Sequence, residues 1–253
     1  MTPDDMLPAM PETVPGVLSA QAASDPARPL ITWYDQADGA RVELSVVTTA
    51  NWVAKTAGLL RDVLDAGPGA RVSVDLPAHW QSAVLVLGVW SLGATVVPPG
   101  SDGVDVAVVG PAVLDGPVPD AAEVVATALH PLGARFTEAL PVGVTDFGAE
   151  VLAMPDAFAP HSPVTPDAVA YLDAAGPVSQ AGLLELGAAR ATTLGLGERG
   201  RLLSTTSPAT LEGALTTLLA PLAVSGSLVL VSNPQAGAAD DVAAQEQVDV
   251  SAV

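Results

Sequence analysis

The sequence predicts an α/β fold built of two βαβ-type subdomains, with mainly parallel sheets covered by helices. Three observations carry this reading. Short runs rich in Val, Ile and Leu alternate with longer helical patterns. Several of these runs are apolar throughout, as in Ala94-Thr95-Val96-Val97, so they fit strands covered on both faces. Gly- and Pro-containing turns separate the units, as at Gly67-Pro68-Gly69. The chain has 253 residues, 49% of them apolar. A globule of that size buries roughly 70% of its unfolded surface, so a core forms without staples, and the composition is too apolar for disorder.

Taken in order, residues 1–25 read as an N-terminal extension and 26–154 as the first subdomain. In the latter, Leu30-Ile31-Thr32-Trp33-Tyr34, the turn Asp38-Gly39 and the alternating Arg41-Val42-Glu43-Leu44-Ser45 predict a hairpin. Thr48 or Thr49 caps a helix running to about Leu64, stopped by Gly67-Pro68-Gly69. A strand over 71–76 ends at Pro77, a nearly all-apolar helix runs from Trp80 to Leu92, and Gly93 ends it before the strand at 94–97. Val104 to Val109 is a further strand, Ala121 to Leu129 looks helical, and 143–154 looks mixed. Residues 155–166 hold four prolines and read as a connection. The second subdomain, 167–253, repeats the pattern: strand 169–172, helix 179–194, strand 201–205, helix 211–223, strand 227–231, helix 239–246 and a closing strand 248–253.

Charge and cysteine usage exclude several classes. With 28 acidic and 9 basic residues the formal charge is −19, and no basic cluster occurs, which argues against nucleic-acid and anionic-membrane binding. The absence of cysteine removes disulfides, thiolate metal sites and Cys nucleophiles. Residues 80–101 and 213–231 are uncharged. Prolines and glycines interrupt or end them, they lack basic anchors, and each reads as helix, turn and buried strand rather than a span. With no basic start at the N-terminus, a cytoplasmic protein is expected.

Little in the chain signals chemistry. Gly195-Leu196-Gly197-Glu198-Arg199-Gly200 matches the dinucleotide fingerprint, but it follows a helix and precedes a strand, the reverse of what a pyrophosphate site needs, so it reads as a helix stop. The turn Asp173-Ala174-Ala175-Gly176-Pro177-Val178 follows a buried strand and opens a helix, where an α/β protein would hold a phosphate. It carries one glycine, a proline and an acid but no lysine, so a plain connecting turn is expected. His79, His130 and His161 are far apart without metal spacing, and His79 is expected to play a polar surface role at a helix start. No G-x-S-x-G elbow occurs.

The order of elements and several phrases resemble the N-terminal portion of the adenylate-forming (AMP-binding) synthetases: acyl-CoA synthetases, peptide-synthetase adenylation domains and luciferases. The resemblance rests on Arg41-Val42-Glu43-Leu44-Ser45, Asn51-Trp52-Val53-Ala54, Leu59-Leu60-Arg61, the stretches 67–77 and 87–98, Ala170-Tyr171-Leu172, 196–203 and Leu219-Ala220-Pro221-Leu222. It covers most of 26–253 and is specific as an ordered set. It implies that Asp173 to Val178 stands where the family has a Ser/Thr/Gly-rich loop ending Pro-Lys-Gly, which cradles ATP phosphates; here the hydroxyls and the lysine are missing. Thr210 lies roughly where the family often places a His beside the acyl site. The adenine segment, the ribose-holding acid, the hinge and the small domain with the catalytic lysine would come after Val253. The only lysine, Lys55, sits on the first helix and cannot replace it.

Three functional expectations follow. The leading one is a non-catalytic, degenerate synthetase portion acting as a binding or interaction module, with no catalytic residue, no nucleotide site, no metal and no cofactor. The alternatives are an acid-activating, AMP-forming ligase half completed by a partner chain, and a binder of an apolar small molecule. A homodimer or another protein partner is expected to cover an exposed face and the outer strand 248–253, burying on the order of 1,200 Å².

Overall fold

The computed structural model describes residues 11–235 and 237–253. The first element, helix α1 (Val14–Ser24), lies inside the expected extension. Thr13 caps it by accepting the Gly16 N–H at 3.2 Å, and Val14, Leu18 and Gln21 are buried. Gln21 donates to the Leu222 carbonyl at 2.8 Å, and Gln180 accepts the Val14 N–H at 3.1 Å. The extension therefore includes a docked helix from residue 14. Its short apolar stripe, mixed with Gly and Ser, gave no strong periodic signal. Residues 1–10 lie outside the described residues.

Strands β1 (Pro29–Asp35) and β2 (Arg41–Ser45) form the expected hairpin, with Gly39 at φ +79° in its turn. Helix α2 (Val46–Asp62) begins directly at the end of β2. Its cap is Ser45, not Thr48 or Thr49: the extended backbone of Ser45 lets its Oγ accept the Thr48 N–H at 3.2 Å. After β3 (Arg71–Asp75), helix α3 (Trp80–Leu92) ends at Gly93, whose φ of +80° is a left-handed stop. Helices α2 and α3 approach closely at Gly88, where an added Cβ would lie 2.6 Å from Thr56 Cγ2.

The strands β4 (Thr95–Val97), β5 (Val106–Val109), β6 (Glu123–Ala126) and β7 (Val144–Asp146) follow. The segment 121–129, expected as a helix, instead holds strand β6 over Glu123–Ala126. Val124, Val125 and Ala126 pair in parallel with Ala107, Val108 and Val109 and are buried, a position that suits adjacent β-branched residues. A single turn α4 (Phe147–Glu150) precedes the proline-rich stretch. The remaining elements are β8 (Val169–Asp173), β9 (Gly176–Ser179), α5 (Gln180–Leu194), β10 (Arg201–Ser204), α6 (residues 211–223, with a π-turn over Leu215–Leu219), β11 (Ser227–Ser232), α7 (Ala238–Gln245) and β12 (Val250–Ala252).

Two sheets result. One has the order β12-β10-β11-β1-β2 and the other β7-β6-β5-β3-β4-β8-β9. All pairings are parallel except the hairpins β1–β2 and β8–β9. Residues 155–166 do not divide the sheets. β1 and β2 come from before that stretch yet join β10–β12, while β8 and β9 come from after it yet join β3–β7. The proline-rich stretch is laid against α2, where Lys55 pairs with Asp156 at 3.0 Å and Arg61 donates to the Ala159 carbonyl at 2.8 Å. A crossed chain path of this kind shares one core: α1, α2, α3 and α5 contribute to a single apolar cluster with strands of both sheets. Among the described residues no helix is long and apolar enough to cross a membrane.

Candidate functional site: the phosphate-loop slot and the seam between the sheets

The turn singled out in the sequence is tighter than a connecting loop. Tyr171 pairs with Val178, Leu172 with Pro177 and Asp173 with Gly176, so β8 and β9 are joined through only Ala174 and Ala175. Asp173 turns inward on its own hairpin, its Oδ1 accepting the Ala175 N–H at 2.8 Å. Gly176 adopts φ +118°, a conformation that a residue with a Cβ resists. Pro177 and Val178 are part of strand β9, and the helix starts only after Ser179, whose Oγ accepts the Gly182 N–H at 3.1 Å. The free N–H groups at the α5 terminus are thus separated from the turn by a strand. The expected turn-to-helix junction is a two-residue hairpin followed by a separately capped helix. Beside it, burial pushes the Tyr171 phenol up, opposed by the backbone of Leu211 at the start of α6.

Thr210, the position matched to the family's acyl-site His, caps α6 by accepting the Gly213 N–H at 3.0 Å. Its hydroxyl is therefore engaged in local structure. Gly213 allows the chain to double back here, since a Cβ would fall 1.8 Å from the Ser207 carbonyl oxygen. Gly195 to Gly200 sits between α5 and β10, with Gly195 a left-handed stop at φ +69°, as the reversed order of elements implied.

His79 departs most from expectation. It is 2% exposed, not a surface residue, and it caps α3 through its ring: Nδ1 accepts the Gln81 N–H at 3.1 Å. The ring packs edge-on against Trp33, with centroids 4.2 Å apart. Burial pulls its pKa from 6.5 down to about 3, against the opposing pull of the Asp35 carboxylate and the Leu129 carbonyl. Hydrogen bonding with the Leu129 backbone favours the charged ring, and Nε2 is sealed from solvent. Two residues on, buried Gln81 accepts from Thr127 at 3.1 Å while its own Nε2 finds no acceptor.

His79 lies at the seam where the two sheets meet. Trp33 Nε1 donates to Ser232 Oγ at 2.7 Å, Ser232 in turn donates to the Ala78 carbonyl, and Ser207 donates to the Leu76 carbonyl at 2.6 Å. The segment Leu76–Ala78, just beyond β3, is therefore bonded to the carboxyl ends of the other sheet's strands. A crevice of about 230 Å³ opens there, reached by Asp35, Pro77, His79, Leu129, Thr205 and Asn233. Asp35, Thr205 and Asn233 sit at or just past the carboxyl ends of β1, β10 and β11, the customary ligand-binding edge of a parallel sheet. His130 and His161 are remote in sequence and exposed, and among the described residues no group of His, Asp and Glu is placed to hold a metal.

Comparison with solved structures decides the architecture. An acyl-CoA synthetase from Brucella canis superposes with a TM-score of 0.79 at 18% identity, over 94% of this chain and 46% of that one. The chain has the fold of the N-terminal portion of an adenylate-forming synthetase. An anthranilate CoA ligase bound to anthranoyl-AMP superposes on the same fold with a TM-score of 0.72 at 14% identity, covering 99% of this chain and half of the ligase. A fatty acyl-adenylate ligase from L. pneumophila gives 0.69 at 15% identity, over 96% and 44%. The chain thus spans about half the length of the synthetases that share its fold. In sequence it is 46% identical over 161 residues to a "TIGR03089 family protein" of Mycobacterium tuberculosis, covering 60% of this chain and 65% of that one. No protein-family model matches the chain.

Proposed function

We propose that this chain is a binding or interaction module that has the synthetase fold without adenylating activity. One observation carries the reading: the slot matched to the phosphate loop is the two-residue hairpin Asp173-Ala174-Ala175-Gly176. Clamping a triphosphate and stabilising the charge that develops in its transfer takes a cation and an array of donors at the site. This turn offers a carboxylate that repels phosphate, and Pro177 contributes no N–H. Thr210, engaged as a helix cap, supports the same reading, because it is not free to act on an acyl group.

The test is ATP–pyrophosphate exchange across a panel of fatty and aryl carboxylic acids, with thermal shift in Mg·ATP alongside. Exchange stays at background and the melting curve does not move. A nucleotide present at 100 times its Kd would add about 2.7 kcal/mol of stability, an easily resolved shift. A single acid that supports exchange overturns the reading and names a substrate.

A further inference from the structure

The two faces of the larger sheet are covered unequally. Residues partnered across a parallel ladder share a face, so Ser73, Ala107 and Val124 point one way, and so do Asp75, Val109 and Ala126. The alternating Val72, Val74, Val106 and Val108 point the other way, into the main core with α2 and α3. On the first face Val97, Ala107, Val109, Val124 and Ala126 form a separate, smaller cluster to which no α-helix contributes. The connections 98–105, 110–122 and 127–143 hold only a 3-10 turn over Pro111–Leu114, so loops cover this side.

A cavity of about 490 Å³ lies at this face, at the carboxyl ends of β3 and β5. The chain order reverses between these two strands. From β3 the chain runs to β4 on one side, then returns to pair β5 on the other. A reversal of that kind opens the crevice in which parallel sheets bind ligands. The volume lies within the usual range for small-molecule sites. Pro111, Pro117 and Pro119 form the outer wall, and their fixed backbones lower the ordering cost of binding.

Asp75 is the one ionisable residue lining the cavity, against apolar neighbours that include Val109, Val113 and Leu129. Its side chain is exposed and enters no hydrogen bond or ion pair among the described residues. An anion would meet this carboxylate with no cation to offset it. A wholly apolar molecule would fill the space and leave the charge unpaired. A molecule with an ammonium group at one end and a compact apolar body at the other suits both walls.

We infer that this cavity binds a small primary amine, its ammonium paired with the Asp75 carboxylate and its apolar body lying against Val109, Val113 and Leu129. The inference goes beyond the proposed function and does not rest on it. The exchange assay decides adenylation and the titration below decides this site, so the failure of either is recognised separately.

The probe is 2-phenylethylamine, compared at neutral pH with 2-phenylethanol, 3-phenylpropanoate and methylamine. In uniformly ¹⁵N-labelled protein the amine shifts the amide resonances of Val109, Gly110, Val113 and Leu129 saturably in the millimolar range. An exposed ion pair of this kind is worth about fivefold in affinity, so 2-phenylethanol binds about that much more weakly. The anion 3-phenylpropanoate binds at least tenfold more weakly, and methylamine, without an apolar body, does not saturate these resonances. Asp75→Asn keeps the shape of the side chain, weakens 2-phenylethylamine about fivefold and leaves 2-phenylethanol within twofold. If that variant fails to fold, the order of the four probes on the unmodified protein still decides. No saturable shift at these amides up to the solubility limit of the amine overturns the proposal. So does 3-phenylpropanoate binding as tightly as the amine. Methylamine binding as tightly overturns it too, because the acidic surface would then be drawing cations without regard to the cavity.

Discussion

Burial of an uncharged histidine makes stability depend on pH in a window where few other groups titrate. The unfolded chain takes up a proton on His79 near pH 6.5, whereas the folded protein resists protonation until about pH 3. Above pH 6.5 both states carry a neutral ring and the residue has no pH-dependent effect. As pH falls below 6.5 the unfolded state binds a proton that the native state refuses, so stability declines with acid. The slope reaches about 1.4 kcal/mol per pH unit, and from pH 7 to pH 5 the loss is about 2 kcal/mol. Most carboxylates remain ionised over that range, which isolates the histidine.

The comparison is with His79→Asn, which retains the acceptor for the Gln81 N–H but does not titrate. Loss of the packing against Trp33 lowers the stability of the variant by a similar amount at every pH, so only the slopes matter. Urea titrations at half-unit pH intervals, read by the fluorescence of the buried Trp33, Trp80 and Trp90, give both curves. The unmodified protein loses about 2 kcal/mol more than the variant between pH 7 and pH 5. Parallel curves would refute the argument, and would mean that the ring is protonated or hydrated in the folded protein.

Two further substitutions test the packing around the seam and the sheet. Gly213→Ala places a Cβ 1.8 Å from the Ser207 carbonyl oxygen and destabilises by at least about 3 kcal/mol, whereas Gly67→Ala meets nothing within 4 Å and changes the stability read from urea titration by less than about 0.5 kcal/mol. Arg201 donates to Thr32 at 2.9 Å and pairs with Glu246, whose side chain is only 9% exposed. Arg201→Ala leaves that carboxylate short of a partner at a cost of about 2–3 kcal/mol, while Arg199→Ala, which removes an exposed pair with Asp25, costs less than about 1 kcal/mol by the same measurement.

The elements were legible in the sequence wherever one physical signal dominated. Helix α3 reads from Trp80 to Leu92 because an apolar run ends at a glycine that adopts the left-handed stop. The parallel strands read from their uninterrupted Val and Leu. Segment 121–129 misled because Ala121-Ala122-Glu123 favours helix locally, while Val124 and Val125 are claimed by the slot beside β5. Strand β9 was hidden because Gly176-Pro177 signals a turn, and only the hairpin partner Val169–Asp173 makes Val178 and Ser179 extended. No local pattern shows that β1–β2 belong with β10–β12 and β8–β9 with β3–β7, since that depends on which edges remain free once the first strands have paired.

The candidate site divides along the same line. That Asp173–Val178 carries neither lysine nor hydroxyl was legible because it concerns which residues are present, and the structure adds how tight the hairpin is. The seam was not legible, because it is made by groups far apart in the chain: Trp33 and Ser232 differ by 199 positions and meet at the Ala78 carbonyl. A histidine before a helix reads as a solvated cap when its surroundings are unknown. Here the crossed strands bring Trp33 over the ring and close the sheet ends around it, so the histidine that caps α3 through Nδ1 is buried. The synthetase fold thus sets two unlike environments on one scaffold: a hairpin whose Asp173 carboxylate is engaged by its own Ala175 N–H, and a seam where side chains of both sheets meet the backbone of Leu76–Ala78.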